Sequence, residues 1–241
     1  CESIDEVFHK VESGMANYGI VPVENSNEGV VGKTLDLLLQ NSLKVCGEVL
    51  LPIHQCLLAL HTDPRQIEKI YSHPQSLAQC HEWLNKNFPL PQTKRVVAAS
   101  NAHAAMIAAD DKSVAAIASK KAAEVYKLSI YAENIEDDPK NTTRFLVIGT
   151  QDVAPAGNDK TSLAMSSRNR PGAIHELLSP LAQHGVSMSH LESRPSRSDL
   201  WEYVFFVDIR GHQQNEEVSK ALEEIRGKAT FLKILGSYPS A

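Results

Sequence analysis

The sequence predicts an α/β protein of two domains: a larger one over residues 1–150, a linker at 151–159 and a smaller domain over 160–241. Three observations predict it. The length of 241 residues exceeds most single domains. The first 150 residues alternate short apolar runs with helical patterns, the signature of strands interleaved with helices. The remainder follows a βαββαβ order, which fits a ferredoxin-like split βαβ unit. With 42% hydrophobic and 22% charged residues the chain is apolar enough to fold.

Taken in order, Ile4, Val7, Phe8 and Val11 keep i, i+3, i+4, i+7 spacing, and Gly14 stands where a helix would stop. The chain thus opens directly into an amphipathic helix. A strand usually precedes such a helix in an α/β protein, so upstream sequence is expected. Tyr18–Val23 reads as a buried strand, and Val30–Gln40 as a helix with Leu35, Leu38 and Leu39 on one face. Lys44–Leu51, His54–Leu60 and Lys69–Ser72 read as strands, followed by a helix from Gln75 to Asn87. Arg95–Ala99 is a strand, Asn101–Ala109 a helix, Val114–Ala118 a strand, Lys120–Tyr126 a helix and Thr143–Ile148 the last strand of this domain. The alternation argues a mostly parallel sheet, which binds ligands outside the carboxyl ends of its strands. Pro155, Gly157, Asn158 and Asp159 mark the linker. Beyond it come strand Thr161–Ser166, helix Gly172–His184, strands Ser187–Arg194 and Trp201–Ile209, helix Asn215–Arg226 and strand Thr230–Leu235.

Several function classes are disfavoured. A net charge of −5 leaves no footprint for nucleic acid or an anionic membrane. No apolar run approaches the ~20 residues that cross a bilayer, and the first residues are not a signal peptide. Cys1, Cys46, Cys56 and Cys80 form no CxxC and read as reduced thiols of a cytoplasmic protein. The ten histidines lack metal-ligand spacing, and G-x-G-x-x-G, Walker, HExxH and G-x-S-x-G motifs are absent, so no metal or cofactor is expected.

Four segments place polar residues at strand ends. In Pro22-Val23-Glu24-Asn25-Ser26-Asn27-Glu28-Gly29, Ser26, Asn27 or Gly29 can cap the next helix and leave N–H groups for an anion. In Tyr71-Ser72-His73-Pro74-Gln75, Ser72 can cap a helix or donate to a ligand. Gln79 lies one turn further in, and His73 is a candidate acid or base. Ser100 and Asn101 open another helix. In Thr143-Arg144-Phe145, Thr143 offers a hydroxyl and Arg144 a planar fork suited to a carboxylate. Each has a plainer alternative: a helix cap, a surface histidine, an exposed strand entry.

At these residues the sequence resembles the prephenate dehydratases. Pro22 through Gly29 matches the family's Pro-(Ile/Val)-Glu-Asn-(Ser/Thr)-x-x-Gly, Ser72 through Gln75 with Gln79 its Ser-His-Pro-Gln pattern, and Thr143 through Phe145 its Thr-Arg-Phe signature. The second domain is similar to ACT regulatory domains: Asn169-Arg170-Pro171-Gly172-Ala173-Ile174 resembles the Gly-Ala-Leu region with isoleucine for leucine, and Glu192-Ser193-Arg194-Pro195 falls in the Glu-Ser-Arg-Pro motif. The likeness is nearest to proteobacterial bifunctional proteins that also carry a chorismate mutase. One departure is that the family's first strand and Gly-Pro-x-Gly loop have no counterpart before Cys1, so part of the substrate site is expected to be missing.

The resemblance implies a two-lobed, periplasmic-binding-protein-like (type II) dehydratase domain followed by a ferredoxin-like ACT domain, with Asn25, Ser72 and Thr143 converging on one crevice. It implies conversion of prephenate to phenylpyruvate, water and carbon dioxide, without cofactor. Thr143, Asn25, Ser72 and Gln79 would be catalytic, and Glu24, Ser26, Ser100, Arg144 and Phe145 would bind substrate, with Glu24 orienting Asn25 or pairing with Arg144. L-phenylalanine would bind at an ACT–ACT interface of a homodimer or higher oligomer, through Asn169, Gly172, Ala173, Ile174, Glu192, Ser193 and Arg194. Arogenate dehydratase and a non-catalytic amino-acid-binding module are the alternatives.

Overall fold

A computed structural model describes residues 1, 3–61, 63–196 and 203–241. In chain order the elements are α1 (Ile4–Glu12), β1 (Tyr18–Asn25), β2 (Gly29–Val30), α2 (Gly32–Gln40), β3 (Lys44–Pro52), β4 (Cys56–Ala59), β5 (Lys69–Ser72), α3 (Pro74–Gln79), α4 (His81–Asn87), β6 (Lys94–Val97), α5 (Asn101–Asp110), β7 (Val114–Ala118), α6 (Lys120–Tyr126), β8 (Ser129–Ala132) and β9 (Thr142–Gly149). The second domain adds β10 (Asp159–Ser166), α7 (Ala173–Gln183), β11 (Met188–Pro195), β12 (Tyr203–Arg210), α8 (Glu216–Lys228) and β13 (Phe231–Pro239). The strand expected from Trp201 begins outside the described residues.

The chain divides into two compact units, Cys1–Leu51 with Thr143–Ala241, and Pro52–Thr142. In the first, a sheet of order β2-β1-β9-β3 carries α1 and α2 on one face. Ser3 caps α1 by accepting from the Glu6 amide at 3.2 Å, and Gly14 ends the segment at φ 75°, a conformation that suits glycine. The ACT-type sheet has the antiparallel order β11-β12-β10-β13, the ferredoxin-like arrangement expected. One of its faces packs α7 and α8 through Leu163, Met165, Leu177, Leu181, Val207 and Ile225. Its other face shares a core with the first sheet: Ala164, Phe206, Leu235 and Tyr238 lie in one cluster with Phe8, Val21, Leu38, Val45, Leu146 and Ile148. Each large side chain buried there contributes about 1.5–3 kcal/mol. β13 approaches β3 so closely that a Cβ on Gly236 would lie 2.1 Å from the Val45 carbonyl oxygen. The Lys233 ammonium of β13 donates to the C-terminal carbonyls of α2, at 2.7 Å from Leu38 O and 3.1 Å from Leu39 O.

The second unit holds a sheet of order β6-β5-β7-β4-β8. The expectation of a mostly parallel sheet needs correction. β5 runs parallel to β6 and β7, but β4 is antiparallel to both β7 and β8, and β1 and β9 of the first unit are antiparallel too. The reason is connectivity: the chain passes into the second unit after β3 and returns in β9, so strands enter each sheet from both ends. The helix expected over Gln75–Asn87 is two, because Cys80 leaves helical geometry at φ −114°, ψ 20°. Division into two α/β sheets with two chain crossings, followed by the βαββαβ domain, is the periplasmic-binding-protein-like plan expected.

Candidate active site

The segment after β1 is not a helix cap. Ser26-Asn27-Glu28 turns the chain into β2 as a tight hairpin, with Asn25 opposite Gly29 and Gly29 at φ 83°. α2 starts only at Gly32 after Val31, which supplies no side-chain cap. Ser26, Asn27 and Gly29 therefore do not cap α2. Asn25 organises the turn instead: its Oδ1 accepts from the Asn27 amide at 3.0 Å and the Glu28 amide at 3.2 Å.

An irregularity in the β1–β9 pairing between Pro22 and Glu24 sets what faces what. It brings Glu24 opposite Arg144 and Asn25 opposite Thr143. Asn25 Nδ2 donates to Thr143 Oγ1 at 2.8 Å. Asn25 is 9% exposed, and Thr143 is half-buried. Because Thr143 accepts this bond, its own hydroxyl proton is directed elsewhere and can be donated to a ligand. Phe145 shares the Thr143 face by strand alternation and is half-buried. Ser26 is exposed, with its Oγ 3.1 Å from Asn27 Oδ1.

Arg144 and Glu24 lie on the opposite face. All three guanidinium nitrogens of Arg144 are engaged: Nε with Glu48 Oε2 at 2.7 Å, Nη1 with Asp208 Oδ2 at 2.6 Å and Nη2 with Tyr238 Oη at 3.1 Å. Its side chain is 12% exposed. The expectation that Arg144 offers its fork to a substrate carboxylate is thus corrected: the fork faces the ACT-type sheet. Burial alone would lower its pKa, but Asp208, Tyr238 and Glu48 around it together outweigh this and hold it above the ordinary arginine value. Burial likewise pushes the Glu48 carboxyl up, while the Lys160 ammonium at 2.7 Å and the Arg144 charge bring it below the usual range. Nor does Glu24 pair with Arg144; its carboxylate lies 3.7 Å from His190 Nδ1.

In the second unit, the ends of β5 and β7 and the starts of α3 and α5 gather a polar network. Ser72 is fully buried, its Oγ 2.8 Å from Asn101 Oδ1 and 2.9 Å from Ile117 O. The hydroxyl is committed to Asn101, which corrects the expectation of a Ser72 open to substrate. Asn101 Oδ1 also accepts from the His73 amide at 3.1 Å, and its Nδ2 donates to Ser76 Oγ at 2.8 Å. Gln55 Nε2 reaches Ser76 Oγ and Gln79 Oε1, both at 3.4 Å. Gln79 is half-buried. Ser100 caps α5, accepting from the His103 amide at 3.0 Å, and His73 caps α3 through Nδ1, so both take the plainer role. Sequence reasoning missed Gln55 and Ser76, and it named Asn101 only beside Ser100. Asn101 carried a signal, a polar residue at the first position of a helix facing the Ser72 turn; Gln55 carried none.

In the ACT-type domain a recess of about 160 Å³ is lined by Ser167, Asn169, Gly172, Ala173, Ile174 and Phe205, among others. It gathers four of the expected effector residues at the start of α7, where Gly172 adopts φ 80°. Ser167 Oγ is buried there without a hydrogen-bond partner. Glu192, Ser193 and Arg194 lie apart on β11. Arg194 does not join this recess: its guanidinium turns to α2, with Nε 3.4 Å from Asp36 Oδ1, and occupies the space a Cβ on Gly32 would need. Among the described residues no His/Cys/Asp/Glu group could hold a metal ion, and no helix is long and apolar enough to cross a membrane.

The family model described as prephenate dehydratase matches residues 1–153, and that of the ACT domain residues 161–227. A bifunctional chorismate mutase/prephenate dehydratase of Neisseria gonorrhoeae is 51% identical over 244 residues, taking in 100% of this chain and 67% of that protein. This chain thus spans about two thirds of that relative. A solved prephenate dehydratase of Arthrobacter aurescens, in complex with L-Phe, superposes with a TM-score of 0.88 at 32% identity, covering 99% of this chain and 80% of that one. Another solved structure, described as a novel type of quorum quenching acylase, gives a TM-score of 0.90 at 29% identity, covering 100% of this chain and 88% of that one. By its matched domains and their order, this chain belongs to the prephenate dehydratase family, with an ACT domain following the dehydratase domain.

Proposed function

We propose that this chain converts prephenate to phenylpyruvate, with the Thr143 hydroxyl as hydrogen-bond donor to the departing oxygen. The observation that carries this reading is the Asn25–Thr143 pair. Asn25 donates to Thr143 Oγ1 at 2.8 Å, which holds the oxygen as acceptor and leaves its proton to be donated to another group. The chemistry asks little of a protein. Loss of carbon dioxide supplies an electron pair, the ring aromatises, and the hydroxyl leaves as water once a proton reaches it. The catalyst must orient a dianion and stabilise the leaving oxygen. Decarboxylation and dehydration balance without a cofactor. A threonine hydroxyl is a weak acid, so the proton reaches the leaving oxygen by way of water. Within the second unit, Ser72 holds Asn101 at 2.8 Å and Gln55 holds Gln79 at 3.4 Å, in one polar network joined through Ser76.

L-phenylalanine is the effector, held in the ACT recess at Gly172, Ala173 and Ile174 with Ser167 Oγ as an unpartnered donor. A homodimer through the ACT domains and a cytoplasmic location belong to the same reading. The test is turnover of prephenate, followed by the alkaline absorbance of phenylpyruvate, in competition with arogenate. Phenylpyruvate formation from prephenate supports the reading. Preference for arogenate would move it to the amino analogue, and binding without turnover would leave a binding module.

A further inference from the structure

The mechanism leaves a buried ionic cluster without a task. Arg144 directly follows Thr143 in β9, and its guanidinium is held by Glu48 of β3, Asp208 of β12 and Tyr238 of β13. Glu48 also accepts from Lys160 of β10 at 2.7 Å and 2.8 Å. Ser162 of β10 bonds Asp208 Oδ1 at 2.5 Å and Tyr238 Oη at 2.7 Å. The Glu48 side chain is 1% exposed, that of Asp208 9%, and Tyr238 is fully buried. Ions taken this far from water cost more than a surface pair returns, and a cluster of this kind serves geometry better than stability. What it fixes is the rotation of β9. With Arg144 tied on one face, strand alternation holds Thr143 on the other, at the register where Asn25 meets it.

We propose that Asp208 and Tyr238, residues of the ACT domain, are positioning residues for the dehydration. They act through Arg144 to hold the Thr143 hydroxyl where it meets the leaving oxygen. The same tie gives the ACT sheet a physical route to the reaction. Asp208 stands opposite His190 in the β11–β12 pairing, and Ser189 Oγ of β11 donates to Asp208 O at 3.3 Å. A shift of β11, the strand that carries Glu192, Ser193 and Arg194, is thereby passed to β12 and on to β9. This rests on the functional reading given above.

The test is a double-mutant cycle in the full chain. Asp208→Asn keeps the size, removes the charge and leaves one acceptor oxygen where the carboxylate has two, serving Arg144 and Ser162. It is expected to lower kcat about 10-fold with KM for prephenate within about 3-fold, and to weaken inhibition by L-phenylalanine while calorimetry shows L-phenylalanine still bound. In a Thr143→Val background the same change is expected to cost less than about 2-fold, because the hydroxyl it positions is gone. A purely structural residue would give equal losses in both backgrounds, and that result overturns the proposal, as does an Asp208→Asn kcat within about 2-fold of wild type. If Asp208→Asn does not fold, Tyr238→Phe, which removes one hydroxyl, is read in the same cycle with an expected loss of about 3-fold. Wild-type chain is assayed alongside. No prephenate turnover by the wild type would overturn the functional reading and this proposal together, whereas an active wild type with additive losses overturns only this one.

Discussion

Replacing Thr143 with valine keeps the shape of the side chain and deletes one oxygen. Two losses follow, and they differ in size. In the folded protein Asn25 Nδ2 loses the acceptor it holds at 2.8 Å, while Asn25 Oδ1 keeps the two amides of the hairpin turn. Removing one partner of a largely buried neutral hydrogen bond costs about 1–2 kcal/mol, so the unfolding midpoint falls but the hairpin survives. In the reaction the leaving oxygen loses its donor. Deleting a single donor aimed at developing negative charge typically costs about 10²-fold in rate, or about 2.7 kcal/mol. Steady-state turnover of prephenate on the folded variant reads this directly, and Thr143→Ser, which restores the hydroxyl, is expected to recover most of the rate. Turnover within about 3-fold of wild type in Thr143→Val would remove this hydroxyl from the mechanism.

Four further outcomes are expected. Glu48→Gln leaves Lys160 without its charged partner and lowers stability by about 3 kcal/mol in a urea melt; a loss under about 1 kcal/mol would show the cluster to be replaceable. Because the folded Glu48 carboxyl lies below its ordinary value, its stabilising contribution is present above the unfolded pKa of about 4.3 and is lost as pH falls through the folded one. Acid titration followed by circular dichroism should therefore show a shallower loss below pH ~4 in Glu48→Gln than in wild type. Gly236→Ala drives a methyl into the Val45 carbonyl and should destabilise the chain by about 3 kcal/mol or more, with wild-type stability as the contrary result. Cys80, fully buried and with its thiol pushed up to about 12 by burial and then by Asp137, should resist an aromatic disulfide reagent that labels exposed Cys1, and rapid native labelling of Cys80 would contradict its placement.

What could be read in advance divides along physical lines. The opening helix is legible because Ile4, Val7, Phe8 and Val11 set one apolar face and Ser3 and Gly14 bracket it. The βαββαβ order is legible because each of its strands is bounded by turn residues. The pairing of Asn25 with Thr143 is not, since it depends on a one-residue irregularity at Val23 that reverses which side chains face together. A strictly alternating β1 would set Glu24 beside Thr143. Arg144 was misplaced for a related reason: an arginine beside a hydroxyl in a strand reads as a ligand for anions until its partners, 64 and 96 residues away in sequence, are known. Ser72 was misplaced because β5 is an interior strand, flanked by β6 and β7, and its last side chain points into the sheet's packing and not toward solvent.

The route of the chain between its two units has a consequence for anyone rebuilding it. The polypeptide leaves the first sheet after Leu51 and re-enters it at Thr143, and the Ile53 amide donates to the Asn141 carbonyl at 2.8 Å, so the outgoing and returning passages run side by side. Residues 52–142 are thus a cassette spliced into the chain between Leu51 and Thr143, entered and left through two adjacent passages. A transplanted ACT domain faces its own requirement: it must bring surfaces that fit Leu38, Val45 and Leu146, because ten of the fourteen buried residues of that interior belong to its host.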